Sequence, residues 1–283
     1  MFGVKRTGLA AAYTDDGVIQ VPAADGKTET LELTKVRADA GVQTAEAPAA
    51  GSAGQAPLVL SNRFGQGRAV LLNLAMSSFP ALSAEGTPET AARLLQQVLG
   101  QGGASPALRL TGANGQRLRN VEITRWMNGP VQIVSVFRHQ GVPETATLNL
   151  PQPQCVYDLK AHKDCGRQQA VSLTVTPYRA LFYALSPQPL QAVGLKTAPP
   201  VSPGSVQQVT VTSTLPEGRQ AVKLQVKLPD GAVADWVDQV VVVDQQGAVV
   251  DVPVAFNDPQ GTWTVNATEL YTGRTATVQF TVQ

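Results

Sequence analysis

The residues in this chain that could do chemistry are few, and their spacing says what each could do. Cys155 and Cys165 lie ten positions apart, on either side of Ala161-His-Lys-Asp164. If that stretch is a hairpin tip, the two thiols could face each other across it. They would then form a disulfide in an exported protein or stay as two free thiols; a pair of cysteines alone does not decide between these. His162 lies between them, but a closed zinc site wants four ligands, and neither a C-x-x-C spacing nor a second nearby histidine is present. No metal is therefore expected. Gly65-Gln-Gly67 has the glycines of a phosphate-cradling loop without the third glycine or the helix that such a loop opens, so it reads as a plain turn. Trp126 and Trp236 suit either a sugar-stacking contact surface or ordinary core packing. His139 stands in a polar turn and reads as solvated. Asp15, Asp16, Asp230, Asp244 and Asp258 all occupy turn contexts, where carboxylates bond to nearby backbone amides. They show no clustered oxygen set of the kind calcium needs. No nucleophile and base are spaced as a catalytic set, and no cofactor is expected.

The elements that must position these residues are read from apolar period and turn chemistry. Leu58 to Leu60 and Ala69 to Leu74 are apolar runs too short for helices, parted by Gly65-Gln-Gly67, which predicts strand, tight turn, strand. The unbroken apolar character of the second run predicts a strand covered on both faces, as in an α/β layer. Val18 to Val21 and Thr30 to Val36 alternate as short strands joined by turn residues Ala23 to Gly26, and Ala45 to Gln55 reads as a mobile surface loop. Thr87-Pro-Glu predicts a helix start with Thr87 as N-cap. An apolar stripe of Leu94, Leu95, Val98 and Leu99 follows, and glycines from Gly100 to Gly103 stop it.

Beyond Gly103 the texture turns to period-2 strands. Val121 to Trp126, Val131 to Phe137, Ala146 to Leu150, Val156 to Leu159, Val171 to Val175 and Ala180 to Leu185 suffice for one β-sandwich. The segment Thr197 to Gly204, with three prolines, predicts an extended linker. Six further strands between Val206 and Val282 predict a second, Ig-like sandwich with Trp263 and Phe280 as core anchors. The expected fold class is mainly β: a partial α/β region over residues 1–103, a β-sandwich over 104–196 and an Ig-like sandwich over 205–283.

At 283 residues the chain is long enough for two or three domains, and 43% apolar residues provide ample cores. A net charge of +1 with 15% charged residues lacks the electrostatic footprint of a nucleic-acid or polybasic membrane surface. No apolar run approaches the roughly 20 residues that span a bilayer. The opening Met1-Phe-Gly-Val-Lys-Arg-Thr-Gly reads like the interior of a domain, so the compartment stays open, with a periplasmic or extracellular setting favoured.

Asn62-Arg-Phe-Gly-Gln-Gly-Arg-Ala-Val-Leu-Leu-Asn-Leu74 resembles the strand-turn-strand near the end of the glutamine-amidotransferase-like trimerisation domain in β-galactosidase-type glycoside hydrolases. Val156 to Arg167 and Asn257 to Val265 resemble segments from the far C-terminal part of such chains. The latter is also similar to strands of macroglobulin-type Ig-like modules. The resemblance implies an amidotransferase-like remnant, a sandwich and an Ig-like module that brace or oligomerise an enzyme. It does not carry catalytic roles: glycosidase chemistry needs two carboxylates about 5 Å apart on a barrel of about 250 residues. Amidotransferase chemistry needs a Cys–His pair in the α/β part, which holds no cysteine. Three functions are weighed: a non-catalytic accessory part partnered by an upstream glycosidase domain or by itself, a free-standing carbohydrate-binding or adhesive sandwich, and a periplasmic or surface Ig-like structural chain.

Overall fold

A computed structural model describes residues 2–7, 12–22, 28–75 and 88–283 of the chain. The chain divides into two compact units, Met1–Pro106 and Ala107–Gln283. Among the described residues no helix is long and apolar enough to cross a membrane.

In the first unit β1 (Val4–Arg6) pairs with β4 (Val42–Thr44), and β2 (Ala12–Pro22) forms a long hairpin with β3 (Thr28–Asp39). The buried set along β3 changes phase. Leu31 and Leu33 face the core, and so do Val36 and Ala38, which a strict period of two forbids. A bulge at Lys35 resolves this: its φ is 53°, its N–H donates to Asp16 Oδ1 at 3.1 Å, and the register against β2 slips there. The expected turn at Ala23 to Gly26 lies outside the described residues.

The small-residue stretch from Ala45 to Gln55, expected as a surface loop, instead contributes β5 (Gly51–Ala53), which adds to the sheet beside β2 and pairs with β6 (Ala56–Pro57). Its composition reflects close packing. A Cβ on Gly51 would stand 2.3 Å from the Val18 carbonyl oxygen, and Ala47 and Ala53 are buried. Asparagine 73 ties the layers: its Nδ2 donates to Asp39 O and Pro57 O, and its Oδ1 accepts the Asp39 N–H.

The central hairpin forms as expected, with β7 (Val59–Phe64) and β8 (Gly67–Leu72) joined by Gly65-Gln66. Gly65 has φ 59° at the first central position, as a type II′ turn demands, and no helix follows. The α/β layer expected around it does not form among the described residues: every strand pair of this unit is antiparallel. β8 is exposed at Gly67 and Arg68 and only half-buried from Ala69 to Leu72, not covered on both faces. Helix α1 (Pro88–Gln101) starts at the expected proline, while Thr87 lies outside the described residues. Leu94 is buried and Val98 packs beside it, whereas Leu99 points to solvent. Gly103, at φ 83°, ends the helix, with the Ala104 N–H on Leu99 O.

The second unit opens with β9 (Arg109–Gly112), followed by β10 (Val121–Asn128), β11 (Val131–Arg138), β12 (Glu144–Asp158), β13 (Lys163–Val175) and β14 (Leu181–Ser186). Two expected strands, Ala146 to Leu150 and Val156 to Leu159, are one. β12 runs through Pro151 and Pro153, where its register shifts, pairing with β9 before the bend and with β14 after it. Proline lacks the N–H a ladder needs, so the strand bends there and changes partners without ending. One face carries Val134, Val136, Leu148, Val156 and Leu173 into a shared core.

The last seven strands form a sandwich. β15 (Gly194–Thr197), β16 (Val206–Thr212) and β19 (Ala248–Pro253) make one sheet. The other consists of β18 (Gln239–Val243), β17 (Gln220–Lys227), β20 (Gly261–Glu269) and β21 (Thr275–Val282). Trp263 and Phe280 anchor its core with ring centroids 5.5 Å apart. The proline segment does not hang free as a linker. Its first residue, Thr197, ends β15, and the Val201 N–H donates to Thr281 O while its carbonyl accepts Gln283 N–H. Farther on, Gly204 N–H donates to Val254 O. Proline sets the extended path, and the amides between prolines still find partners.

Glu269, the last residue of β20, is fully buried at the start of the turn to β21. Its carboxylate accepts the Tyr271 N–H at 2.8 Å, the Thr272 N–H at 2.9 Å and the Thr272 hydroxyl at 2.8 Å. Burial pushes its pKa up, against the pull of those donors. The folded chain therefore holds this proton more tightly than the unfolded chain. That contribution is complete below the ordinary carboxylate range and is lost as pH rises through the raised value. Urea midpoints followed across weakly acidic to neutral pH should fall with this component. Glu269→Gln should abolish it and, by setting an NH2 against a buried donor, lower stability by about 1–3 kcal/mol at every pH. An unchanged slope in the variant would refute the assignment.

Candidate functional site

β10 is an edge strand of its sheet, and its alternate side chains point to opposite faces. Val121 and Ile123 turn toward the core. Glu122, Thr124, Trp126 and Asn128 turn the other way, opposite Phe137, Ser135, Ile133 and Val131 of β11. Phe182 and Ala184 of β14 continue those rows, and Tyr157 of β12 lies beyond Ala184. On this outer face the row Trp126, Ile133, Ala184 and Tyr157 is thus apolar from edge to centre, with Glu122, Thr124, Ser135 and Asn128 set among its neighbours.

Part of that face is covered. Val131, Cys155, Tyr157 and Ala184 pack with Leu190 and Leu215, with Tyr271 alongside, so the C-terminal sandwich closes on it through its β16–β17 and β20–β21 loops. Asn128 fastens the closure: its Oδ1 accepts the Arg219 N–H at 2.9 Å, and its Nδ2 donates to Arg219 O and to the Tyr271 hydroxyl, both at 2.5 Å. Leu190 N–H donates to the Tyr157 hydroxyl at 2.9 Å, and Arg274 meets Asp164 at 3.2 Å. Gly129, first residue of the Gly129-Pro130 turn at φ 57°, leaves room for Glu217, whose carbonyl oxygen would lie 2.5 Å from any Cβ there.

The other part of the face stays open. Trp126 is 48% exposed, and among the described residues its indole N–H has no hydrogen-bond partner. Phe182 lies under the Lys160 ammonium at 5.7 Å, and Phe137 meets His139 edge-on at 4.8 Å. His139 is exposed, as expected, and its Nε2 lies 3.3 Å from Glu122 Oε2; Thr124 Oγ1 donates to Glu122 Oε1 at 3.0 Å.

Trp236 does not join this surface. It is 54% exposed in a 3-10 turn (Asp235–Val237) at the far end of β17, on the order of 20 Å along the strand from Arg219. The two tryptophans therefore make no common platform, and neither is a core residue. Cysteines 155 and 165 are both free, which corrects the disulfide alternative. Cys155 belongs to the joint with the C-terminal sandwich, while Cys165 packs with the core on the opposite face. A register shift beside Val156 sets them back to back, so the hairpin that brings them near in sequence also turns them apart.

No group of three His, Cys, Asp or Glu side chains able to hold a metal occurs among the described residues. Asp230, Asp244 and Asp258 do their expected turn work, whereas Asp15 and Asp16, expected in a turn, lie within strand β2. Asp230 Oδ1 accepts Ala232 N–H, Asp244 Oδ1 accepts Gln246 N–H and Asp258 Oδ2 accepts Ala255 N–H; the Asp15 side chain lies outside the described residues. In the first unit a cleft of about 450 Å³ is lined by Lys5, Arg6, Arg37 and Leu72 above Asn73, whose amide is fully engaged by backbone. Arg6 pairs with Asp39 there at 2.9 Å.

No protein-family model matches this chain, and no curated protein does. Among solved structures it is similar to a cold-adapted β-galactosidase from Rahnella sp. R3, at 13% identity and a TM-score of 0.40 over 64% of this chain and 24% of that one. It is also similar to an isomalto-dextranase from Arthrobacter globiformis T6, at 12% identity and a TM-score of 0.23 over 71% of this chain and 39% of that one. The third is the FN1–FN3 segment of chicken CNTN1, at 8% identity and a TM-score of 0.29 over 99% of this chain and 98% of that one. The chain spans about a quarter of the galactosidase and under half of the dextranase. Scores this low carry no argument about activity. The mainly β architecture rests on the strand pairing itself.

Proposed function

We propose that this chain is a non-catalytic accessory region of a β-galactosidase-type glycoside hydrolase, which braces the enzyme or holds its subunits together. The observation that carries the reading is the joint between the two sandwiches. An apolar cluster, a side chain bonded to the N–H and carbonyl of a residue across the joint and an ion pair fix them as one body. A strut needs that stiffness, whereas a tethered module that searches for ligand gains from a loose connection. The link to this enzyme class rests on the resemblance of residues 62–74, 156–167 and 257–265.

Enzymatic and genetic tests separate this proposal from its rivals. Purified chain should leave a chromogenic galactoside untouched. The DNA upstream of Met1 should continue into barrel sequence with paired carboxylates. Deleting the present region from that longer enzyme should lower its thermal midpoint or oligomeric mass while leaving KM unchanged. Turnover by the isolated chain, or an upstream frame that encodes no glycosidase, would overturn the proposal.

A further inference from the structure

We propose that the open part of the outer sheet face, centred on Trp126, binds a neutral pyranose oligosaccharide that lies along β10 toward Glu122. This goes beyond the bracing role and stands or falls separately from it. The face is continuous with the joint. Ala184 and Tyr157, in the same cross-strand row as Trp126, are already sealed under the C-terminal sandwich, which makes the uncovered end a ledge beside a fixed wall.

Its scale selects the occupant. Trp126, Ile133, Phe137 and Phe182 are each partly exposed and together offer on the order of 300 Å² of apolar surface, well below the roughly 800 Å² per partner of a stable protein interface. A small ligand suits that area. Phe182 is already capped by Lys160 and Phe137 meets His139, whereas Trp126 is 48% exposed and its indole N–H has no partner among the described residues. The apolar C–H face of a pyranose ring stacks on such a surface, as the ring quadrupole favours.

Hydrogen-bonding groups continue along the same strand face. Thr124 lies next in line and then Glu122, about 13 Å from Trp126 along the strand, roughly the reach of a trisaccharide. The Glu122 carboxylate is held in place by Thr124 Oγ1 and His139 Nε2, a preorganised acceptor for adjacent sugar hydroxyls. Its charge disfavours acidic sugars, which makes the class neutral.

Titration calorimetry of the whole chain with β-1,4-galactotriose, cellotriose, xylotriose and a galacturonic acid triose tests this. At least one neutral triose should bind saturably at millimolar concentration, more tightly than its monosaccharide, with the acidic triose weaker. Trp126→Ala should cut that association constant about tenfold or more. Glu122→Gln should cut it several-fold, and Trp236→Ala should leave it unchanged. Each variant is compared at an unaltered thermal midpoint, and Glu122→Gln serves as the second reading if Trp126→Ala loses its fold. The proposal is overturned if no neutral triose binds, if the acidic triose binds best, or if Trp126→Ala and Glu122→Gln bind like the parent.

Discussion

Trp263→Ala should remove about 3–5 kcal/mol from the stability of the C-terminal sandwich, enough to consume most of what a domain of this size holds in reserve. Trp263 is wholly buried on β20, against Phe280 on β21, and its Nε1–H donates to Pro259 O at 3.0 Å. Truncation leaves a cavity that two sheets cannot collapse to fill, because the strand ladders on either side fix their separation. It also deletes the indole's hydrogen bond to the Pro259 carbonyl. Trp236→Ala is the control: half-exposed in a turn, it should change stability by no more than about 0.5 kcal/mol. Chemical denaturation monitored by circular dichroism reads both variants. A Trp263→Ala protein with the parent's midpoint would mean that the core is organised around something else.

Asn128→Ala should loosen the joint by about 2–3 kcal/mol, since it deletes the partner of Arg219 N–H, Arg219 O and the Tyr271 hydroxyl at once. The effect should be local, for Asn128 contributes nothing to the core of either sandwich. Cys155 reports on it directly. The thiol is 5% exposed and lies in the joint cluster, so an alkylating reagent reaches it only when the joint opens. Its labelling should accelerate roughly 30- to 150-fold in the variant, while labelling of Cys165, on the opposite face, stays near the parent rate. Peptide mapping distinguishes the two. Equal acceleration at both thiols would indicate global destabilisation, and no acceleration at Cys155 would show that the apolar cluster holds the joint without Asn128.

The same joint explains why cleavage at Thr197 to Gly204 should not release a free C-terminal domain. The segment is bonded to strands β16, β19 and β21 of its own sandwich, and the connection between the two sandwiches lies earlier, around Leu190. Proline content predicted the extended path correctly, and most of the segment is exposed, but it is bonded to its sandwich where a free linker was expected. Extension is a backbone property of the residue itself, whereas the bonding of the remaining amides depends on what lies alongside.

What the sequence determined by itself were the local periods and turns. Alternation located most strands of both sandwiches to within a few residues, but it missed β9 and β15, found only the last part of β13 and split β12 in two. Gly65 set the central hairpin, Pro88 and Gly103 bounded α1, and Trp263 with Phe280 stood out as core anchors, because each of these follows from side-chain period or backbone preference over a few neighbours. The tertiary structure alone decided everything that depends on which face a strand presents and to whom. Cys155 and Cys165 look paired in sequence, yet a one-residue slip in β13 puts them on opposite faces. The apolar run in β8 reads as a doubly covered strand, but its neighbours pair antiparallel and leave it half-buried. Asn128 carries no sequence signal beyond turn chemistry. Its role exists only because a loop of the next sandwich brings Arg219 to it from 91 residues away, a long-range pairing that no local pattern encodes.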